Sequence, residues 1–201
     1  VVVLAGVAVA VRFGLSAIEL RVTPGPHPST VVLPSGIDER LRALNLGSPS
    51  TLADARSRAS FPVRLPAGLG APDRVYVRDI DGAVGVMVSL VYEAVPGWPP
   101  PATTGVAVLI TESPGHVDRP YMTKLINGGA QVTPVVVDGE EGYWIAGTHD
   151  FLFLHPTRPQ TSIQIHLAGE TLIWEANRVA FRIEAGGGME AAISLGNSLA
   201  P

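Results

Sequence analysis

The residues whose types could support metal or acid–base chemistry are concentrated between positions 149 and 166. His149 and Asp150 are adjacent, and His155 and His166 follow along the chain. In a strand, side chains alternate between the two faces, so His149 and His155 would share a face with two phenylalanines between them. A zinc ion needs three or four ligands in a compact shell, which this spacing does not supply. We therefore expect structural or exposed histidines and assign no metal site.

Other patterns of catalytic residues are incomplete. Residues 196–200 fall just short of a nucleophile elbow and lie where a helix is predicted, whereas the elbow is a strand-to-helix turn. The three glycines at 186–188 lack the Lys-Ser/Thr pair that a P-loop needs, and they indicate a flexible connection into the last helix. The acidic residues at 138–141 are typical of a solvated hairpin tip. We expect no catalytic residue, no cofactor and no enzymatic activity.

One loop is better suited to binding than to catalysis. Residues 95–101 carry Trp98 among four prolines, so the aromatic ring should be held on a stiff connection between two strong strands. The ring could fold back as a cap over the sheet edge. It could instead contact a protein partner, a lipid headgroup region or a ligand, because tryptophan is favoured where one side is apolar and the other is wet. Trp98, Pro99 and Pro100 are therefore the candidate contact residues.

The chain opens on an apolar run. Residues 1–11 contain only Val, Ala, Leu and Gly, and Arg12 interrupts the run. Eleven helical residues span about 16 Å, roughly half of a bilayer core. The pattern favours the outer half of a membrane-spanning helix whose inner half is missing. The remnant of a signal peptide and a buried core segment are the alternatives.

Composition limits the classes of function. The net charge is −4 and the basic residues are scattered, so the sequence lacks the basic stripe with interleaved aromatics of a nucleic-acid-binding surface. The chain contains no cysteine, which excludes disulfides, cysteine zinc sites and thiol nucleophiles. A chain of 201 residues can bury a sizeable core without such cross-links.

Periodicity predicts four short helices and a series of strands. The helices are expected at 36–46, where Gly47 ends the first one, at 52–59 behind a Ser50-Thr51 cap, at 120–126 and at 189–199. Alternating apolar residues and intervening turns predict strands at 74–78, 83–95, 105–111, 132–137, 142–147, 151–154, 162–167, 171–174 and 179–184. The predicted fold is α+β: one large, twisted antiparallel sheet of about eight or nine strands, with short helices on one face.

These elements suggest three regions. Residues 1–20 would hold the end of the membrane anchor and a juxtamembrane segment. Residues 21–50, rich in proline at first, would form a stiff spacer that ends in a short helix. Residues 51–201 would form the main domain.

Several segments of the main domain carry a resemblance to a known family. They are residues 51–56, 61–77, 132–137, 142–149 and 172–175, with the closing helix around 190–192. Together they resemble an uncharacterised extracytoplasmic domain of membrane-anchored bacterial proteins, some of them anti-sigma-factor-like. The resemblance implies a domain outside the membrane after a single span. It implies no catalytic residues, and no sigma-binding part is present to support an anti-sigma role.

Two hypotheses of function follow. The first is a non-catalytic, membrane-tethered extracytoplasmic domain that senses or binds a partner protein in a bacterial envelope or regulatory system. The second is a carrier of an apolar, lipid-like ligand held between a curved sheet and its helices, which would need an apolar cavity of at least about 300 Å³. The second hypothesis rests only on an analogy of architecture.

Overall fold

A computed structural model of the chain describes residues 15–23, 34–80, 85–115, 122–127, 130–155 and 158–200. These residues form fourteen β-strands and three α-helices. In chain order they are β1 (Ile18–Thr23), α1 (Ile37–Ala43), β2 (Ser48–Ser50), α2 (Leu52–Arg58), β3 (Leu65–Pro66), β4 (Arg74–Ile80), β5 (Gly85–Tyr92), β6 (Val108–Pro114), β7 (Met122–Asn127), β8 (Gln131–Val137), β9 (Glu140–Ala146), β10 (His149–His155), β11 (Arg158–Ala168), β12 (Thr171–Ala176), β13 (Val179–Ala185), α3 (Gly188–Asn197) and β14 (Leu199–Ala200).

Eight of the strands form one antiparallel sheet, in the order β2-β4-β5-β6-β13-β12-β9-β8. Every neighbouring pair in this sheet is antiparallel. The prediction of an α+β fold built on one large antiparallel sheet is thus confirmed. Strand alternation and turn signals were sufficient to find its strands, and three of the seven neighbouring pairs, β4–β5, β8–β9 and β12–β13, are joined by short connections.

Both faces of the large sheet are covered. One face, which includes Leu90, Phe181 and Ile183, packs against Ala55 of α2 and Leu195 of α3. Because both faces of the sheet are covered, the central strands β6 and β13 are buried along their whole length, including their polar and charged residues.

The opposite face of the sheet carries two smaller clusters. Val91 and Leu109 pack against Leu41 and Leu44 at α1. Helix α1 therefore lies on the other side of the sheet from α2 and α3, whereas the sequence placed the short helices on one face. The spacing of Leu41 and Leu44 predicts an apolar stripe but does not say which sheet face receives it.

A second sheet covers the rest of this face. It has four strands in the order β1-β7-β10-β11, and β1 pairs with β7 in parallel. Its buried residues, such as Ile18 and Phe151, pack against Tyr143 and Ile173 of the large sheet. Strands β10 and β11 were predicted from their alternation, but their separation into another layer was not.

The predicted helix at 120–126 is wrong where the structure describes it, because β7 occupies Met122–Asn127. This strand lies between β1 and β10 and pairs with both of them. Tertiary pairing on two sides outweighs a weak local helical pattern. Pro120, which suggested the start of a helix, lies outside the described residues.

The predicted starts of α1, α2 and α3 agree with the structure to within two residues. At α2 the Thr51 side chain accepts a hydrogen bond from the Asp54 backbone N–H at 3.1 Å, as an N-cap residue does. The Gly47 backbone beyond α1 has a φ of +105°, which favours glycine, and approaches the backbone of Val77 closely. Local chemistry therefore accounts for the start of α2 and the end of α1, whereas α1 and α3 begin without a side-chain cap.

The N-terminal described segment is built into the fold. The Ser16 hydroxyl donates to Glu175 Oε2 at 2.8 Å, and the Ala17 backbone N–H donates to Oε1 at 2.7 Å. Strand β1 follows at once, so the range 21–50 that was predicted as a spacer contributes strand residues and α1 to the fold. Residues 1–11 lie outside the described part of the chain. Within that part, none of the helices has both the length and the apolar character needed to cross a bilayer.

The large sheet has two distinct ends. At the hairpin end, tight turns at residues 138–139 and 177–178 join β8 to β9 and β12 to β13, and all four turn residues have positive φ, typical of type I′ hairpins. At the loop end lie the connections 93–107, 147–148, 169–170 and 186–187. Glu175 lies one residue before the last residue of β12, so the N-terminal segment joins the sheet at the hairpin end.

Candidate functional site

The loop with the predicted contact residues lies at the loop end of the sheet; we call residues 95–101 the proline loop. The backbone N–H of Trp98 donates to the Val95 carbonyl at 3.0 Å and closes a tight turn. Gly97 within that turn has a φ of +81°, which favours glycine. Four prolines and this hydrogen bond leave the loop few conformations.

Trp98 anchors the loop rather than projecting from it. The side chain is half-buried and packs against the main core. Its ring lies beside Gly187, where an added Cβ would come within 3.2 Å of the indole. Trp98 thus covers the start of α3, and the prolines that follow it are exposed or half-buried.

Gly186 allows the loop to approach the sheet. A Cβ at this position would overlap the carbonyl oxygen of Pro99, so only glycine permits the observed contact. Gly169 plays the same part for Thr103, whose Oγ1 would lie 2.6 Å from a Cβ there. The sequence suggested a flexible glycine connection at 186–188. In the structure, Gly186 packs against Pro99 and Gly187 packs against Trp98.

A cleft of about 320 Å³ lies between the proline loop and the neighbouring turns. Pro99 and Pro100 form part of its wall, while Trp98 lies behind them. The cleft is lined by Pro99, Pro100, Pro101, Ala102, Thr103, Gly147, Thr148, Gly169, Glu170, Ala185 and Gly186. Two of the three predicted contact residues are therefore brought together with residues from three other connections.

The lining offers few chemical groups. Glu170 is exposed and is the one titratable side chain in the lining. Oγ1 of Thr103 is buried and has no hydrogen-bond partner in the described part of the chain. Thr148 adds a second hydroxyl, and prolines, glycines and two alanines supply the remaining surface. Such a cleft can hold an extended segment through shape, two threonine hydroxyls and one negative charge.

The histidines lie away from this cleft or are committed to structural bonds. His149 is buried, and its Nδ1 lies 3.1 Å from the Gly147 carbonyl, to which it must donate because a carbonyl only accepts. His166 is buried in a separate network. Among the residues that the structure describes, no group of three His, Cys, Asp or Glu side chains is placed to bind a metal ion. The side chain of His155 lies outside the description.

That network is a buried ionic cluster between the two sheets. Nη2 of Arg182 contacts Glu184 Oε1 and lies 2.9 Å from His166 Nε2, which lies 2.8 Å from the same carboxylate oxygen. Nδ1 of His166 donates to the Leu44 carbonyl at 3.2 Å and so ties α1 to β11. The guanidinium also lies 4.4 Å from the Phe151 ring centroid. Burial lowers the pKa of Arg182 to about 9.

Sequence reasoning missed this cluster. The signal was the pair Arg182 and Glu184, which share a strand face two residues apart between apolar neighbours. A charged pair at that spacing inside an apolar run indicates buried ions with partners. The cluster lies inside the molecule, where its hydrogen bonds and ion pair link β11, β13 and the end of α1.

A second buried acid lies on the other face of the sheet. Glu112 is fully buried and accepts hydrogen bonds from the Arg64 backbone N–H at 3.1 and 3.2 Å. Burial raises the pKa of Glu112 to about 8, although this hydrogen bond and the positive charges of Arg64 and Arg56 oppose the shift. The carboxyl is enclosed between β6 and the segment after α2, and it is not part of the cleft lining.

The acidic hairpin tip agrees with its sequence-based interpretation. Asp138, Glu140 and Glu141 are exposed, and the Asp138 backbone N–H donates to Asn197 Oδ1 at 2.7 Å, fixing the tip against the end of α3.

Comparisons of the chain with protein-family models, with curated proteins and with solved structures find no match.

Proposed function

We propose that this chain is a non-catalytic, membrane-tethered domain that binds a partner protein on the extracytoplasmic side, as part of a bacterial envelope or regulatory system. The observation that carries the proposal is the cleft beside the proline loop. Its walls come from four separate connections, and they are held in place by Trp98 and by close backbone approach at Gly186. A surface held in this way loses little conformational entropy when a partner binds.

The chemistry of the described residues supports binding over catalysis. The cleft contributes one carboxylate, Glu170, and no nearby general acid or base from the same lining. A nucleophilic mechanism needs a nucleophile that is activated, most often by a base within hydrogen-bond reach, and no such pair is among the hydrogen bonds described at this lining. The other buried titratable groups, Arg182, Glu184, His166 and Glu112, make bonds inside the core.

The membrane and extracytoplasmic parts of the proposal rest on the sequence. They are supported by the apolar run at residues 1–11 and by the resemblance to domains of membrane-anchored bacterial proteins, including anti-sigma-factor-like ones. The absence of cysteine is compatible with this placement, since extracytoplasmic domains need not contain disulfides.

Carriage of an apolar ligand is not favoured by a specific observation. That function needs an apolar cavity between the large sheet and its helices. In the described part of the chain, this layer is filled by side chains such as Trp174 and Phe181, whose rings stack with centroids 4.8 Å apart. The 320 Å³ cleft lies outside this layer, among prolines and glycines.

The test is purification of the full chain from native membranes, with its associated proteins identified by quantitative mass spectrometry. Glu170→Arg reverses the charge in the cleft, and Glu190→Arg makes the same change on an exposed position of α3 outside the lining. We expect one protein to accompany the wild type and Glu190→Arg and to be lost with Glu170→Arg. The same associated proteins in all three samples would refute the cleft as the binding surface.

A further inference from the structure

The starting point is the short distance between the apolar run and the first described residue. Leu15 is half-buried against the core between the two sheets, and Ser16 and Ala17 are bound by Glu175. Only residues 12–14 separate Leu15 from the run at 1–11. Even fully extended, this segment allows Leu15 to lie no more than about 15 Å from residue 11.

The attachment point is at one particular end of the molecule. Glu175 pairs with Ala180 in the strand register, next to the turn at 177–178 at the hairpin end. Strand β1 begins at the same end of the second sheet. Ile18 pairs with Met122, and Met122 pairs with Phe153. Phe153 lies near the end of β10 that is farther from the 147–148 connection. Both sheets therefore receive the N-terminal segment at the same end.

The cleft lies at the opposite end. Its lining residues come from the connections at 147–148, 169–170 and 186, each of which follows or precedes the far end of a strand. Strand β12, which runs from Thr171 beside the cleft to Ala176 near the attachment point, separates the two ends by about 17 Å, at roughly 3.3 Å per residue.

We infer that the hairpin end faces the lipid bilayer and that the cleft is displayed on the side away from it. The inference rests on the proposed membrane tether and adds an orientation to it. In this orientation the exposed residues Asn177, Arg178 and Glu140 face the surface of the bilayer in which this same chain is anchored. The tether is too short to allow the loop end to turn toward the membrane while Glu175 holds Ser16 and Ala17.

The arrangement has a consequence for recognition. A partner that reaches the cleft approaches from the aqueous side, and its contact residues need not lie in the bilayer or its headgroup region. The acidic hairpin tip, with Asp138, Glu140 and Glu141 exposed, would stand next to the bilayer and be repelled by anionic lipids.

The test uses fluorescent labels at two positions, which is direct because the chain has no native cysteine. The full chain is reconstituted into phosphatidylcholine liposomes that contain a headgroup spin-labelled lipid. Glu140→Cys places a fluorophore at the hairpin end, and Glu170→Cys places the same fluorophore at the cleft. Both changes remove one exposed glutamate. Flotation of the liposomes on a density gradient first shows whether the chain is membrane-bound.

We expect the chain to float and the spin label to quench the fluorophore at 140 while leaving the one at 170 as bright as in label-free liposomes. Equal quenching, or stronger quenching at 170, in a chain that floats would overturn the orientation and leave the tether intact. A chain that remains at the bottom of the gradient would overturn both. A third sample combines Glu175→Ala with Glu140→Cys. This variant should lose much of the quenching at position 140, because Ser16 and Ala17 are released from Glu175. Unchanged quenching would show that the short tether is not what holds the hairpin end near the bilayer.

Discussion

Glu112 shows how one buried residue sets the response of the fold to pH. Its carboxyl has a folded-state pKa of about 8, well above the value of about 4.5 expected when the chain unfolds. Between these two values the folded state keeps a proton that the unfolded state releases. Stability contributed by this group is therefore complete below about pH 4.5 and is lost as the pH rises through 8, by at most about 1.4 kcal/mol per pH unit.

We predict that Glu112→Gln removes this slope, because glutamine cannot ionise and its side-chain oxygen can still accept from the Arg64 N–H. Urea unfolding followed by tryptophan fluorescence between about pH 5 and pH 8 measures the effect. The variant should gain stability over the wild type as the pH rises. The exposed Glu140→Gln provides the matched control, and a Glu112→Gln variant that kept the wild-type slope would exclude Glu112 as the titrating group.

Arg182 is the residue on which the buried cluster depends. Its removal leaves the Glu184 carboxylate inside the core without its guanidinium partner. We predict that Arg182→Met destabilises the domain by about 3–5 kcal/mol, as is usual when one partner of a buried ion pair is lost. Adding Glu184→Gln should recover part of the loss, because no buried charge then lacks its partner. Thermal unfolding of both variants measures this, and a double variant less stable than Arg182→Met would argue against the ionic account.

At the scale of elements, the proline loop is held to the sheet chiefly by Trp98. We predict that Trp98→Ala costs about 1–2 kcal/mol, since only part of the ring is buried. Trp174→Ala, which removes a fully buried ring stacked on Phe181, should cost about 3–5 kcal/mol. Equal losses in thermal unfolding would mean that Trp98 belongs to the core rather than to a loop anchor.

The elements that sequence reasoning found are those with local signals. The β8–β9 hairpin has alternating residues around Asp138 and Gly139, and α2 has its Thr51 cap, so neighbouring residues suffice to define them. Strand β7 was missed because its partners are β1 and β10, both distant in sequence. The second sheet was missed for the same reason.

The candidate site likewise contains residues that the sequence identified and residues that it did not. Trp98, Pro99 and Pro100 were chosen because a tryptophan among prolines is informative by itself. The rest of the cleft wall, such as Thr148 and Glu170, comes from connections that only the folded sheet brings together. A single sequence does not show why positions 169 and 186 must be glycine, because the reason is the close approach of Thr103 and Pro99.

At the scale of the whole molecule, two features are set at opposite ends of one sheet. The N-terminal segment is bound by Glu175 at the hairpin end, and the cleft opens at the loop end. The account holds that the first feature attaches the domain to a membrane and the second receives a partner protein. The filled layers on both faces of the sheet make it a rigid spacer between them.

The most direct test of this account is photo-crosslinking in intact cells. A benzophenone amino acid replaces Ala102, which lines the cleft, or Ala53, which is also exposed but lies on α2. The account predicts a single protein adduct from position 102 in the membrane fraction, with none from position 53. No adduct from 102, or the same adducts from both positions, would contradict the claim that the cleft is where this domain meets its partner.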